Sequence, residues 1–296
     1  MTPDIWEEIV ACRKRGEPAA LATIVSSLGS TPGKDPMKML VRGDGTFVGS
    51  VGGGCLEAEV WDHARTVMDT HRSMSVKFTL TEEHYPDSGL ICGGTVTVFI
   101  EPVTAPALHI FGAGHVGRAT AALAGDAGFA VTLHDDRPDM LEEGLPPGAR
   151  AVPGEWEDGL KDVPPDPRAF LVVMTRGHHD DERVLQALAD AGLQPRFLGM
   201  IGSRSKRQTL LGRLEGRGVP RPWLDRIVSP VGLPIGARTA HEIAVSIVAQ
   251  LIAEVRGAAE GGRRGGPPPE ATEAGESGAE PGSGPAPTLT PLDEGQ

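Results

Sequence analysis

Leu108-His109-Ile110-Phe111-Gly112-Ala113-Gly114-His115-Val116-Gly117 is the stretch on which the fold turns. A short apolar run of strand length enters a G-x-G-x-x-G turn, and a helical pattern begins directly behind it. In that setting the glycines have separate tasks: a tight turn, close approach of backbone to a phosphate, and close helix–strand packing. The next apolar run, Ala130–Asp135, ends on Asp135-Asp136, a little over twenty residues after Gly112. An acid at that place reaches ribose hydroxyls and disfavours a 2′-phosphate, while Arg137 keeps the phosphate open. Two readings stand at this point, a nucleotide site using Gly112, Gly114, His115, Gly117 and Asp135, or glycines that serve packing alone.

Working outward, strand patterns recur at Ala149–Pro153, Phe170–Met174 and Arg196–Ile201. Helical patterns follow the first, second, fourth and fifth of these runs. Ala240–Val255 reads as a long final helix, with Thr239 as its N-cap. Alternation of this kind predicts a parallel sheet with helices on its faces, a Rossmann-like domain over residues 105–256.

Upstream, residues 1–104 read as a separate α/β domain. Ile5–Arg15 is an amphipathic helix, and Ala19–Ser26, Lys38–Val41, Thr46–Val51, Val76–Leu80 and Thr95–Glu101 are strands. Between them stands Gly52-Gly53-Gly54-Cys55-Leu56-Glu57, opening a helix to Thr70 whose Leu56, Val60, Ala64 and Val67 share one face. Glycines tolerate positive φ, and a helix start offers free N–H groups and a positive dipole end to an anion. The same field favours the thiolate of Cys55. Cys92, ahead of two glycines, is a second thiol candidate or a small buried hydrophobe. Residues 257–296, rich in Gly, Pro, Glu and Ala, bury too little apolar surface to offset chain entropy and are expected to be a disordered tail.

Composition narrows the partners. A net charge of −12 disfavours nucleic acid, which needs a basic face. No apolar run approaches the roughly 20 residues of a membrane span. Met1–Val10 mixes Asp4, Glu7 and Glu8 with apolar residues, unlike a signal peptide. Cys12, Cys55 and Cys92 show no C-x-x-C spacing, so neither a disulfide framework nor a thiolate zinc site is expected. A cytoplasmic protein is the simplest expectation, and its size class suggests a homodimer.

Two further clusters fall where parallel sheets place their sites. Thr175-Arg176-Gly177-His178-His179-Asp180-Asp181 offers acid–base groups, contacts to a polar ligand through His178, or a helix cap. Adjacent histidines do not readily face one metal, so no metal centre is expected there. In Gly199-Met200-Ile201-Gly202-Ser203-Arg204-Ser205-Lys206, Ser203 and Arg204 suit either an anion or a plain capped helix.

Gly29-Ser30-Thr31-Pro32, Lys38-Met39 and Gly52–Glu57, followed by His109–Gly117, Gly199–Lys206 and Ser229-Pro230-Val231-Gly232-Leu233, together resemble the xanthine dehydrogenase accessory (XdhC/CoxI) family. Thr175 and His178 match that family's Thr-His-Asp-His, whereas Arg176 and Gly177 depart from it. The resemblance implies a maturation factor rather than a turnover enzyme. It would bind molybdenum cofactor (molybdopterin), protect its sulfurated form and deliver it to an apo-molybdenum hydroxylase of xanthine dehydrogenase type, with a cysteine desulfurase as second partner. It also implies that Cys55 contacts molybdenum or its sulfur, that Gly52, Gly53 and Gly54 receive the pterin phosphate, and that Glu57 holds a pterin edge or favours the helix start. The alternative is an NAD(P)-dependent oxidoreductase using the Gly112–Gly117 turn. It lacks a Tyr/Lys pair, since Tyr85 is the single tyrosine.

Overall fold

Alternation of apolar and polar residues builds the first half. In the computed structural model, which describes residues 4–29, 31, 36–80, 94–142, 145–162 and 168–258, α1 (Ile5–Arg15) is followed by β1 (Ala19–Leu28), β2 (Lys38–Arg42) and β3 (Phe47–Gly49). Then come α2 (Cys55–Thr70), β4 (Met74–Leu80) and β5 (Gly94–Pro102). The strands form an antiparallel sheet in the order β3-β2-β1-β5-β4. Successive side chains of a strand face opposite ways, and here both faces are covered. Ala20, Ala22, Val96, Val98 and Ile100 meet Leu56, Val60, Ala64 and Val67 of α2. Ala19 and Leu21 meet Ile9 and Cys12 of α1. That is why Ala19–Ala22 reads as an unbroken apolar run.

The second half comprises β6 (Ala107–Phe111), α3 (His115–Asp126), β7 (Ala130–Asp135), α4 (Asp139–Glu142), β8 (Arg150–Pro153) and α5 (Trp156–Gly159). It continues with β9 (Phe170–Val173), α6 (His178–Asp190), β10 (Phe197–Met200), α7 (Arg204–Gly216), α8 (Arg221–Leu224), β11 (Ile227–Val228) and α9 (Ala240–Arg256). Its sheet is parallel, ordered β11-β10-β9-β6-β7-β8. The chain runs outward from β6 through β8, then returns to lay β9 on the other side of β6. The switch point of a Rossmann sheet therefore lies between β6 and β9. Helices α3 and α9 cover one face, around Leu108, Ile110, Phe170 and Ile247. Residues of α6, α7 and α8 cover the other, around Phe111, Leu171, Leu185 and Leu214.

The sequence reading anticipates these layers and differs in detail. The helix expected after Ala130–Asp135 is the single turn α4, entered through Pro138. The sixth strand, β11, pairs only Ile227 and Val228 with β10, too short a run to carry a period. Cys92 and residues 259–296 of the expected tail lie outside the described residues. Gly257 is described, ending α9 in the left-handed conformation. No helix among the described residues is long and apolar enough to cross a membrane.

The two halves meet at the amino-terminal end of the parallel sheet. Arg196, just ahead of β10, donates to the Asp69 carbonyl near the end of α2 (2.8 Å) and to the Glu254 carbonyl near the end of α9 (2.8 Å). Arg168, just ahead of β9, lies 3.6 Å from Asp69 Oδ1. The glycine turn at the start of α2 stands about 24 Å away along the helix axis, at the end opposite to this junction.

Candidate functional site

At the carboxyl end of β6 the Gly112–Gly117 turn is built as its spacing predicts. A side chain on Gly112 would run into the Met174 carbonyl, and one on Gly117 would run into the Gly112 carbonyl. One on Gly114 would meet nothing within 4 Å. The outer glycines thus serve packing, and the middle one leaves the turn open. Gly114 is the N-cap of α3 and contributes no side-chain acceptor, so the first N–H groups of the helix remain available to a ligand. His115 is exposed at that start and lines an apolar groove of about 790 Å³ with Arg118, Pro146, Pro147 and His241. Nothing in the sequence around His241 marks it, since it is simply the second residue of α9.

Asp135 ends β7 with only 1% of its surface exposed. Its Oδ2 accepts from the Ala113 N–H (2.7 Å) and Arg137 Nη2 (3.0 Å), and its Oδ1 from the Arg137 N–H (3.0 Å) and Nε (2.9 Å). Burial pushes its carboxyl up, but the Arg137 guanidinium and these N–H groups outweigh it and hold the acid below the usual carboxylate range. Beside it, burial raises the Asp136 carboxyl against the pull of Arg176. Arg176 bridges Asp136 (2.6 Å) and Asp180 (3.0 Å), tying the loop after β7 to the start of α6.

The loops after β9 and β10 are joined through Asp181, which is fully buried. It accepts from Thr175 N (3.1 Å), Thr175 Oγ1 (2.7 Å) and Lys206 Nζ (2.5 Å). Ser203 caps α7 by accepting from the Lys206 N–H at 3.1 Å. His178 is exposed at the start of α6 and shares a groove of about 440 Å³ with Lys206, Glu182 and Arg213. Arg204 lines a different groove, of about 610 Å³, against the Pro230–Ala237 loop. The expected residues of the second half therefore share one edge of the sheet but divide among three grooves. Thr175 and Lys206, tied to the buried Asp181, form a link that sequence spacing alone does not reveal.

The Gly52–Gly54 turn belongs to the first half, directly ahead of α2. All three glycines adopt positive φ, at 124°, 86° and 62°. Side chains on Gly53 and Gly54 would meet nothing within 4 Å. Glu57 folds back over the turn, its Oε1 accepting from Ser50 Oγ (2.6 Å) and the Gly53 N–H (3.2 Å). Ser50 Oγ in turn accepts from the Gly52 N–H at 3.1 Å. Ser50 is an addition to the sequence reading, with no signal in its residue type. Cys55 is the first residue of α2, while its side chain and the whole of Cys92 lie outside the described residues. Among the described residues no group of three or more His, Cys, Asp or Glu gathers as a metal site. Nor, among those residues, does a hydrogen bond or ion pair join this turn to Gly112–Gly117.

Comparison with known proteins matches both halves of the chain to one family. A model described as the XdhC Rossmann domain matches residues 108–251, and one described as the XdhC and CoxI family matches residues 12–79. The chain is 32% identical to uncharacterized protein YqeB of Escherichia coli (strain K12), over 82% of this chain and 45% of that protein. It is 33% identical to a probable xanthine dehydrogenase subunit of Bacillus subtilis (strain 168), over 52% of this chain and 44% of that protein. It is 25% identical to the molybdenum cofactor insertion chaperone PaoD of Escherichia coli (strain K12), over 78% and 82% of the respective chains. The chain spans less than half the length of the first two relatives. With both halves of the fold matched in order, this chain belongs to the XdhC and CoxI family.

Proposed function

We propose that the protein binds molybdenum cofactor and passes it to a xanthine dehydrogenase-type hydroxylase as a maturation chaperone. The observation that carries this reading is the open Gly52–Gly54 turn at the uncapped start of α2, with Cys55 as the first helical residue. Three consecutive positive-φ glycines leave the turn bare of side chains, and with the Gly52 and Gly53 N–H groups held by Ser50 and Glu57, the uncapped N–H groups at the start of α2 are the donors that suit an anionic group such as the pterin phosphate. Glu57 and Ser50 brace the turn from within. The cofactor, when bound, supplies a molybdenum centre with an exchangeable terminal sulfur. The helix-start field favours the Cys55 thiolate as the residue that meets it. Relatives named for xanthine dehydrogenase and for molybdenum cofactor insertion support the assignment. A cysteine desulfurase as sulfur source, protection of the sulfurated form, a homodimeric assembly and a cytoplasmic setting belong to the same proposal.

The test is anaerobic binding of molybdenum cofactor to wild type and Cys55→Ala, followed by transfer to apo-xanthine dehydrogenase. Stoichiometric binding by wild type, with binding or transfer lost in the variant, is the expected result. If neither protein takes up the cofactor, the chaperone reading fails.

A further inference from the structure

A Rossmann turn ordinarily offers the ligand's ribose an acid at the end of the second strand of its sheet. Here that acid, Asp135, is already committed. Its two oxygens accept four hydrogen bonds, one from the turn itself and three from Arg137, and it is 1% exposed. A carboxylate offers about four acceptor sites in all, so no lone pair is left for a pair of ribose hydroxyls. The group that reaches solvent at this strand end is Arg137, its side chain 34% exposed. Its Nε and Nη2 are held in a fork by Asp135, and the remaining Nη1 donors point away from the pair. The guanidinium is thereby fixed in orientation on the same carboxylate that holds the Ala113 N–H of the glycine turn, with Asp136 Oδ1 3.8 Å from its Nε.

We propose that the Gly112–Gly117 turn takes a ligand carrying a phosphate monoester, and that Arg137, held by Asp135, is the residue selecting that phosphate over a free hydroxyl. A planar guanidinium already locked in place loses little freedom on gripping a dianion and offers it a charge-assisted contact. The same chemistry occurs in the 2′-phosphate of an adenine dinucleotide and in the terminal phosphate of molybdopterin. The inference concerns the second half alone and does not depend on cofactor binding at Gly52–Gly54.

The experiment is calorimetric titration of the full chain with two matched pairs, NADP⁺ against NAD⁺ and molybdopterin against its phosphatase-treated form. Wild type binds the phosphorylated member of one pair about tenfold or more tighter, and the pair that does so identifies the source. In Arg137→Ala that ratio collapses to within about twofold, and Arg137→Lys, which keeps the charge without the fork, retains part of it. A merely structural Arg137 would lower the melting temperature and leave the ratio unchanged. Equal affinities within both pairs for wild type overturn the proposal whatever the variants do, as does a preference that survives Arg137→Ala. Absence of molybdopterin binding beside a strong NADP⁺ preference would instead sink the chaperone reading and leave this one standing.

Discussion

Gly112, Gly114 and Gly117 share one motif and stand in different surroundings. Gly117 faces the Gly112 carbonyl, a backbone atom that cannot swing aside, so Gly117→Ala must push α3 off β6. The expected loss is about 2 kcal/mol or more in urea unfolding. Gly114 has φ −68° and open space around it. Gly114→Ala should stay within about 1 kcal/mol of wild type, yet weaken a phosphate-bearing ligand about tenfold by denying close approach. His134 makes a second prediction at this scale. It is buried, stacks on Phe111 at 4.5 Å and lies 3.1 Å from His109. Burial, helped by His109, pushes its pKa down to about 3. The unfolded chain, with an ordinary value near 6.5, holds more protons between these limits, so stability is full above about 6.5 and falls as pH falls toward 3. Unfolding free energy should be about 2 kcal/mol lower at pH 5 than at pH 8. His134→Phe should flatten that slope.

Behind its two leading histidines, helix α6 carries three consecutive acids, all buried and each paired in a different direction. Asp180 meets Arg176, Asp181 meets Lys206, and Glu182 meets Arg217 at 2.7 Å. Negative charge suits a helix start, and here it also ties the loops after β7, β9 and β10 into one rim. Lys206→Met leaves Asp181 buried with only Thr175 as donor. The predicted cost is about 3 kcal/mol, partly recovered when Asp181→Asn is added, as chemical denaturation of both variants would show. The fold's other helix start of note, α9, carries a complete capping box between Thr239 and Glu242. That one was legible at Thr239, because a cap is a local device reaching three residues forward.

At the scale of the molecule, one guanidinium closes two helices. Arg196 satisfies carbonyls in the last turns of both α2 and α9, where intrahelical partners run out, and lies 5.5 Å over the Phe170 ring. Arg196→Ala should lower stability by about 2 kcal/mol. It should also split the calorimetric transition into two, because the halves have separate cores and lose a shared fastener. A single undivided transition with unchanged enthalpy would show that the halves are coupled elsewhere.

The layers of this protein follow from residues close to one another along the chain. The period of β5, the face of α2 and the strand–glycine–helix run at Leu108–Gly117 are each set by residues within a few positions of one another, and local sterics and burial need nothing more. The sequence also marked both glycine turns, since positive φ and close packing exclude other residues there. Which side chain answers which is settled by the folded arrangement. Asp135 is taken by Arg137 and Ala113, Lys206 reaches Asp181 across two loops, and Glu57 folds back onto the Gly53 N–H. Those outcomes depend on strand order and on how far a side chain reaches across a sheet edge, and pairings over such distances leave no period in the chain.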